Sequence, residues 1–453
     1  MTDHRPRGAD VVVVGAGMSG LSCADTLLRQ GADVLVLEAR DHVGGRTRIV
    51  EADGEIVDLG GQFIGPGQDR VHALAKELGI EVFATHVAGE HLVETSSGRI
   101  RRWRGTVPRL SVPQLLDLAQ AQARFERLAR TIDPTAPWSS PNAAALDDQT
   151  LATWIRRTLR TPGGRRLFSL ATRLMWACEP SELSLLHALF YARAAGSLEA
   201  VMATEGGAQQ DRLDQGAGEL ARRLAARLGD RIRLGAPVRR IAQNDDGVLV
   251  TTEAGDTVRA ARVVVAIPPV LAGRIGYDPP LPADRDGLTQ RLAMGSAIKC
   301  VIVYAEPFWR SAGLSGQALS LRGPLSGLAD SSPHSANRGV LVGMLEGAVA
   351  RDLATLPGHE RKSVVLDQLA RLFGPHAAQP RTYLEQDWSA EPFTRGAYAA
   401  LFPPGAWTQY GPALRTPVGR IHWAGSETAT RWYGYIDGAI RSGQAAADEV
   451  LMS

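Results

Sequence analysis

The sequence predicts an α/β protein with α+β character, in which a parallel-sheet domain is interleaved with a domain of mixed sheet and helices. Three observations predict it. Residues 10–46 read as strand, helix and strand in quick succession. A block of helical periodicity, residues 111–195, then interrupts the α/β pattern, and strand signals return after residue 228. At 453 residues the chain is also too long for one ordinary core.

The first unit opens on the β-branched run Val11–Val14, a pattern expected of a strand buried on both faces. It ends in Gly15-x-Gly17-x-x-Gly20 and a helical stretch to Gln30, followed by a second apolar run, Val34–Leu37, closed by Glu38. Gly15 permits the tight turn, Gly17 lets a pyrophosphate approach the backbone, and Gly20 lets the helix lie close to the strand. The helix N-terminus offers free N–H groups and the positive end of its dipole to phosphates. Glu38 stands where an acid would take the ribose hydroxyls, so this is a Rossmann-like dinucleotide site. Gly44-Gly45-Arg46 just beyond Glu38 resembles the extended motif of FAD-dependent oxidoreductases. That resemblance implies FAD, with Arg46 along its pyrophosphate and ribityl chain. The candidate cofactor-binding residues here are Gly15, Ala16, Gly17, Met18, Ser19, Gly20, Glu38, Ala39, Arg40, Gly44, Gly45 and Arg46.

A hairpin over Thr47–Asp58 follows, then a helix from Asp69 to Leu78 that stops at Gly79. In the helical block, periodicity and punctuating prolines predict helices over Pro113–Arg130, Leu151–Leu159, Arg165–Trp176 and Ser184–Ala195. A helix over Gly216–Leu228 precedes strands at Ile232–Leu234, Val238–Asn244, Val248–Thr252 and Val263–Ile267, with Asp245-Asp246-Gly247 as a hairpin turn. A second insertion, 288–386, carries the strand Ile298–Tyr304 and a helix near His359–Phe373, and a last helix starts at Gly438. The expected division is 1–80, 207–286 and 387–453 for the cofactor domain, and 81–206 and 287–386 for the substrate domain.

Composition narrows the function classes. A net charge of +2 with no basic, aromatic-interleaved run argues against nucleic-acid binding. The three cysteines, Cys23, Cys178 and Cys300, form no CxxC pair, which excludes a disulfide framework or zinc ribbon and fits a reducing cytoplasm. No metal-spaced histidine cluster and no Ser-His-Asp pattern occurs, so no metal site is expected. The start of the chain lacks a secretory h-region, and no apolar run is long enough to span a bilayer. Lysine is rare in this arginine-rich chain, occurring only at 76, 299 and 362, which sets Lys299 apart.

The second informative stretch is His422-Trp-Ala-Gly425-Ser-Glu427-Thr-Ala-Thr-Arg-Trp-Tyr-Gly-Tyr435-Ile436-Asp-Gly438-Ala439. It resembles the AGxETAT…GYxxGA signature of the flavin monoamine oxidase family. Tyr398–Gly405 and Gly295–Cys300 resemble two further motifs of that family, and the matches run in order from about residue 10 to 449. The architecture implied is that of the monoamine oxidases and p-hydroxybenzoate hydroxylase. The resemblance implies that Tyr398 and Tyr435 form an aromatic cage whose π faces steer an amine without adding an acid that would keep it protonated. It gives Lys299, set in the apolar run AIKCVIVY where an unpaired lysine is costly, a role in holding a water at the flavin. The catalytic candidates are therefore Lys299, Tyr398 and Tyr435. In mitochondrial members a cysteine before the cage tyrosine bonds covalently to the flavin; here that position is Ala397, which implies non-covalent FAD.

The same resemblance places Gly60, Gly61 and Gln62 under the flavin ring, Val238 at the adenine, Trp388 beside the ring, and Gly425, Glu427, Tyr435 and Ile436 along the cofactor. Phe168, Met175, Trp176, Met202, Gln209 and Leu325 are candidates for the substrate cavity, with Leu325 at its entrance. The expected activity is oxidative deamination of a primary aryl- or alkyl-monoamine by dioxygen, giving aldehyde, ammonia and hydrogen peroxide. An L-amino acid oxidase is the nearest alternative, but it needs an arginine clamp, and Gln62–Gly67 contains none. A polyamine or diamine oxidase would want an acidic cavity wall, against which Leu325 argues. A flavin-carrying protein without turnover would have no need of Lys299 and the tyrosines. The expected partners are a small amine and dioxygen, with no nucleic acid or membrane. The oligomeric state is left open, a homodimer among the options.

Overall fold

The computed structural model describes residues 7–105 and 110–453; residues 1–6, read above as lacking a leader, lie outside it. The larger sheet runs in the order Ile232–Arg233, Val34–Leu37, Arg7–Val14 and Thr257–Val265, all parallel. It continues antiparallel through Gly247–Thr252 and Val238–Asn244, with Gly276–Asp278 at its edge. Val12 lies opposite both Leu35 and Val263. The valine run is buried on both faces. Val11 and Val13 pack with Leu21, Leu27 and Ile440, while Val12 and Val14 pack with Ile241, Val250 and Trp423. Ile421–Trp423 joins this sheet beside Thr257–Val265, so the two sequence ends of the fold meet at one strand.

Two helices, Met18–Arg29 and Ile436–Met452, lie directly against each other above this sheet. Gly443 allows the approach, because a Cβ there would strike the Ser19 carbonyl oxygen. The last helix begins at Ile436 with Tyr435 as its N-cap, two residues before the Gly438 start expected from sequence.

The second sheet has seven strands in the order Thr382–Asp387, Ala297–Tyr304, Gly339–Glu346, Gly327–Asp330, Leu314–Ser320, Glu90–Glu94 and Ile100–Trp103. Sequence periodicity shows only one of these strands, expected at Ile298–Tyr304 and found at Ala297–Tyr304, second from one edge, every residue of which is buried. The helical block forms as expected, with helices Val112–Ala129, Leu151–Thr158, Pro162–Trp176 and Leu185–Ala195. Thr150, Thr161 and Ser184 cap three of them by accepting backbone N–H bonds. Among the described residues no helix is long and apolar enough to cross a membrane.

Candidate active site

One cavity of about 1050 Å³ runs from the first βα turn to the second sheet. At its first end Gly15 has φ +102°, which admits glycine with little strain. A Cβ on Gly20 would collide with the Gly15 carbonyl oxygen, so this glycine serves strand–helix packing. A Cβ on Gly17 would meet nothing within 4 Å, so the backbone there faces open space. The following helix has no side-chain cap, which leaves its first N–H groups free. The Ser19 hydroxyl is buried and has no partner within the protein.

Glu38 closes this end. Its carboxylate accepts the Ala16 N–H at 2.7 Å and the Arg40 N–H at 2.9 Å. Arg40 in turn reaches the Thr394 hydroxyl at 2.5 Å and Glu391 at 3.2 Å. The loop carrying Gly44, Gly45 and Arg46 is drawn back onto the turn by the Gly44 N–H donating to the Ala16 carbonyl at 2.9 Å. Ala39, Val238, Gly425 and Ile436 line the same cavity.

Arg46 is held more tightly than a free phosphate ligand would be. Its guanidinium donates to Glu427 at 2.6 and 3.0 Å, to the Tyr398 carbonyl at 2.7 Å and to Ser426 at 3.2 Å. Glu427 is 0 % exposed and stands behind Arg46, away from the cavity wall. Burial alone would raise its pKa, but the Arg46 charge beside it prevails and keeps the carboxyl below its usual range. The acid holds the arginine, and the arginine borders the cavity.

Lys299 lies deeper, on Ala297–Tyr304 opposite Met344. It is 3 % exposed, and its Nζ donates to the Gly60 carbonyl at 2.8 Å and to the Gln62 side chain. Gln62 is itself fixed by donating to Ser331 at 3.0 Å. Burial pushes the ammonium down to about 7; Asp58 opposes this shift and Arg212 adds to it. Gly60, Gly61, Gln62 and Lys299 therefore form one patch of cavity wall. Trp388 borders it and donates its indole N–H to the Leu59 carbonyl at 3.0 Å.

Tyr398 and Tyr435 both line the cavity. Tyr435 packs edge-on against Trp432 with centroids 5.1 Å apart, and lies 5.9 Å from Tyr191, a third wall tyrosine that sequence reasoning missed. Phe168, Met175, Met202 and Gln209 are wall residues as expected, with Met202 at 52 % exposure. The Gln209 amide donates to the Val201 carbonyl, leaving its Oε1 buried without a partner. Two expectations fail. Trp176 stands behind the wall, edge-on to Tyr191 at 5.4 Å. Leu325 is fully buried in the core of the second sheet, where it packs behind Gly343 and so cannot guard an entrance. Sequence reasoning also missed Glu346, a buried wall acid that accepts the Tyr398 hydroxyl at 3.0 Å. It ends an apolar strand, where an acid usually marks the exit to solvent, so no local signal pointed to it.

Comparison with known proteins supplies the family. Residues 18–451 match the family model described as flavin containing amine oxidoreductase. The chain is 46 % identical over 445 residues to AofH of Mycobacterium tuberculosis, assigned as a flavin-containing monoamine oxidase, covering 98 % of this chain and 97 % of that one. It is 40 % identical over 453 residues to the L-amino acid dehydrogenase of Synechocystis, covering 98 % and 94 % respectively. Among solved structures it superimposes on wild-type putrescine oxidase bound to putrescine with a TM-score of 0.95, at 35 % identity, over 98 % of this chain and 99 % of the other. The open backbone at Gly17, the partnerless Ser19 hydroxyl and the buried Glu38 acceptor fit the phosphates and ribose of the cofactor this match implies. The chain therefore belongs to the flavin containing amine oxidoreductase family, and FAD is its cofactor.

Proposed function

We infer that this enzyme oxidatively deaminates a primary aryl- or alkyl-monoamine, releasing aldehyde, ammonia and hydrogen peroxide. The observation that carries the reading is the pairing, on one wall, of a buried tethered lysine with two tyrosines. Of the arginines lining the cavity, Arg40, Arg46 and Arg239 are paired with carboxylates, and Arg274 and Arg395 are exposed. An amino acid's carboxylate would need an arginine clamp, and the patch that tethers Lys299, Gly60 with Gln62, supplies none. FAD, when bound, would supply the two-electron oxidation of the amine and the return of those electrons to dioxygen. The protein's part is orientation and desolvation. Tyr398 and Tyr435 form the aromatic cage that presents π faces to the amine. The Gln209 Oε1 is free to accept an amine N–H, and Lys299 holds a water beside the reacting atoms. Water then hydrolyses the released imine. On the same reading, 1–80, 207–286 and 387–453 form the cofactor domain and 81–206 with 287–386 the substrate domain. The composition of the two sheets supports that division.

The test is anaerobic reduction of the holoenzyme. Bleaching of the flavin band by 2-phenylethylamine but not by L-phenylalanine is the expected result; bleaching by the amino acid alone would replace this reading with an amino-acid oxidase. The grip on FAD is non-covalent on this reading, because Ala397 precedes the cage tyrosine. Precipitation with trichloroacetic acid should leave the yellow colour in the supernatant, and a yellow pellet would refute a non-covalent attachment.

A further inference from the structure

Glu346 is the last residue of Gly339–Glu346 and pairs with Ala297, two positions along from the Met344–Lys299 pair. Alternation along a strand puts Val342, Met344 and Glu346 on one face, and all three line the cavity. Glu346 is 1 % exposed. Its Oε1 accepts the Tyr398 hydroxyl at 3.0 Å, whereas its Oε2 has no hydrogen-bond partner. A half-satisfied buried carboxylate is costly, and an apolar residue would continue the Val342–Met344 wall without that cost.

We propose that Glu346 is a positioning residue for amine oxidation: through the Tyr398 hydroxyl it fixes that ring, and as a carboxylate it places negative charge behind the ring to which an ammonium group is drawn. This rests on the amine-oxidase reading above. An anion hydrogen-bonded to the phenol makes the ring face a better partner for a cation. The groups around Glu346 leave it close to balance. Burial raises its carboxyl to about 7, while the hydrogen bond from Tyr398 and the positive charge of Arg173 pull the other way. Arg173 shares its charge with Glu179 at 3.5 Å, and Glu179 also accepts the Ala348 N–H at 3.3 Å next to the strand end. Lys299 turns its ammonium away, toward Gly60 and Gln62. Tyr398 keeps its proton throughout, since burial and then Glu346 hold the phenol well above its ordinary range. Below about 7 Glu346 is neutral, and above it carries the charge that draws the amine.

The test is the pH dependence of kcat/KM for 2-phenylethylamine in holoenzyme carrying Glu346→Gln, which keeps the shape and the acceptor for Tyr398 but cannot ionise. The acid limb should lose one ionisation relative to wild type, and KM at pH 8 should rise about tenfold while kcat changes less than about threefold. Tyr398→Phe is the second variant. It removes the hydroxyl that stabilises the carboxylate, so the surviving limb should move to higher pH. An unchanged limb and KM in E346Q, or a limb that Y398F does not move, overturns the proposal. A fall in kcat alone overturns it too, because that is what a packing defect would produce. If wild type is reduced by the amine while E346Q behaves identically, only the role of Glu346 fails. If wild type is reduced by no amine, the reading of the enzyme fails and this proposal with it.

Discussion

Lys299→Met should slow flavin reduction or reoxidation by about a hundredfold or more while leaving FAD bound, the scale on which a positioned proton-handling group contributes. Methionine has nearly the length of lysine and suits the fully buried strand Ala297–Tyr304. The change removes a charge whose burial already drives its pKa down to about 7. Its structural cost is confined to the Gly60 carbonyl and the Gln62 amide oxygen, which lose their donor. Such losses cost about 1–3 kcal/mol, which is survivable for a domain of this size. The cofactor contacts around Glu38 and Gly17 lie on other segments and are untouched. Stopped-flow reduction by amine, reoxidation by dioxygen and the flavin-to-protein absorbance ratio separate the outcomes. Turnover equal to wild type would make Lys299 a buried packing residue and remove the water-holding role.

Gly17→Val should purify folded and colourless. Gly17 has φ −73° and ψ 174°, an extended conformation open to any residue, and a Cβ there meets no atom of the protein within 4 Å. The chain alone therefore has little reason to resist the change, and the melting transition of the cofactor-free protein should move by less than about 0.5 kcal/mol equivalent. The branched side chain would instead fill the space through which the pyrophosphate approaches the backbone. Gly20→Val is the contrasting case. Its Cβ would collide with the Gly15 carbonyl, so the fold itself should fail. Absorbance at the flavin band and thermal melting with and without added FAD distinguish them. Stoichiometric flavin in Gly17→Val would displace the phosphate site from this turn.

The strand–turn–helix at residues 10–46 was legible because each of its requirements is local. β-branched residues make the strand, glycine makes the turn, and the acid ends the second strand within the same short stretch. The helical block was legible from its local periodicity and punctuating prolines, although the Thr161 cap starts one helix at Pro162, three residues before the expected Arg165. The second sheet was not. Leu314–Ser320 carries glycine and serine and no clear alternation, Gly327–Asp330 has four residues, and the place of the first in the sheet depends on Glu90–Glu94, more than two hundred positions away. The same holds for the cavity wall. Register between Ala297–Tyr304 and Gly339–Glu346 brings Lys299 beside Met344, turns Glu346 toward Tyr398, and leaves Leu325 behind Gly343. The sequence argument against an acidic wall rested on Leu325, and the fold replaces that leucine with Glu346.

By itself, then, the sequence determined the dinucleotide turn from residue type and spacing, and its resemblance to the flavin monoamine oxidases pointed to FAD, the lysine and the two tyrosines through contiguous motifs. Tertiary structure alone decided how they are held: that Arg46 is clamped by a buried Glu427, that Lys299 is tethered to Gly60 and Gln62, and that a carboxylate stands behind Tyr398. Such pairings join residues tens to hundreds of positions apart. They depend on strand register and on the energetic cost of burying a charge, and neither quantity can be read from a local run of residues.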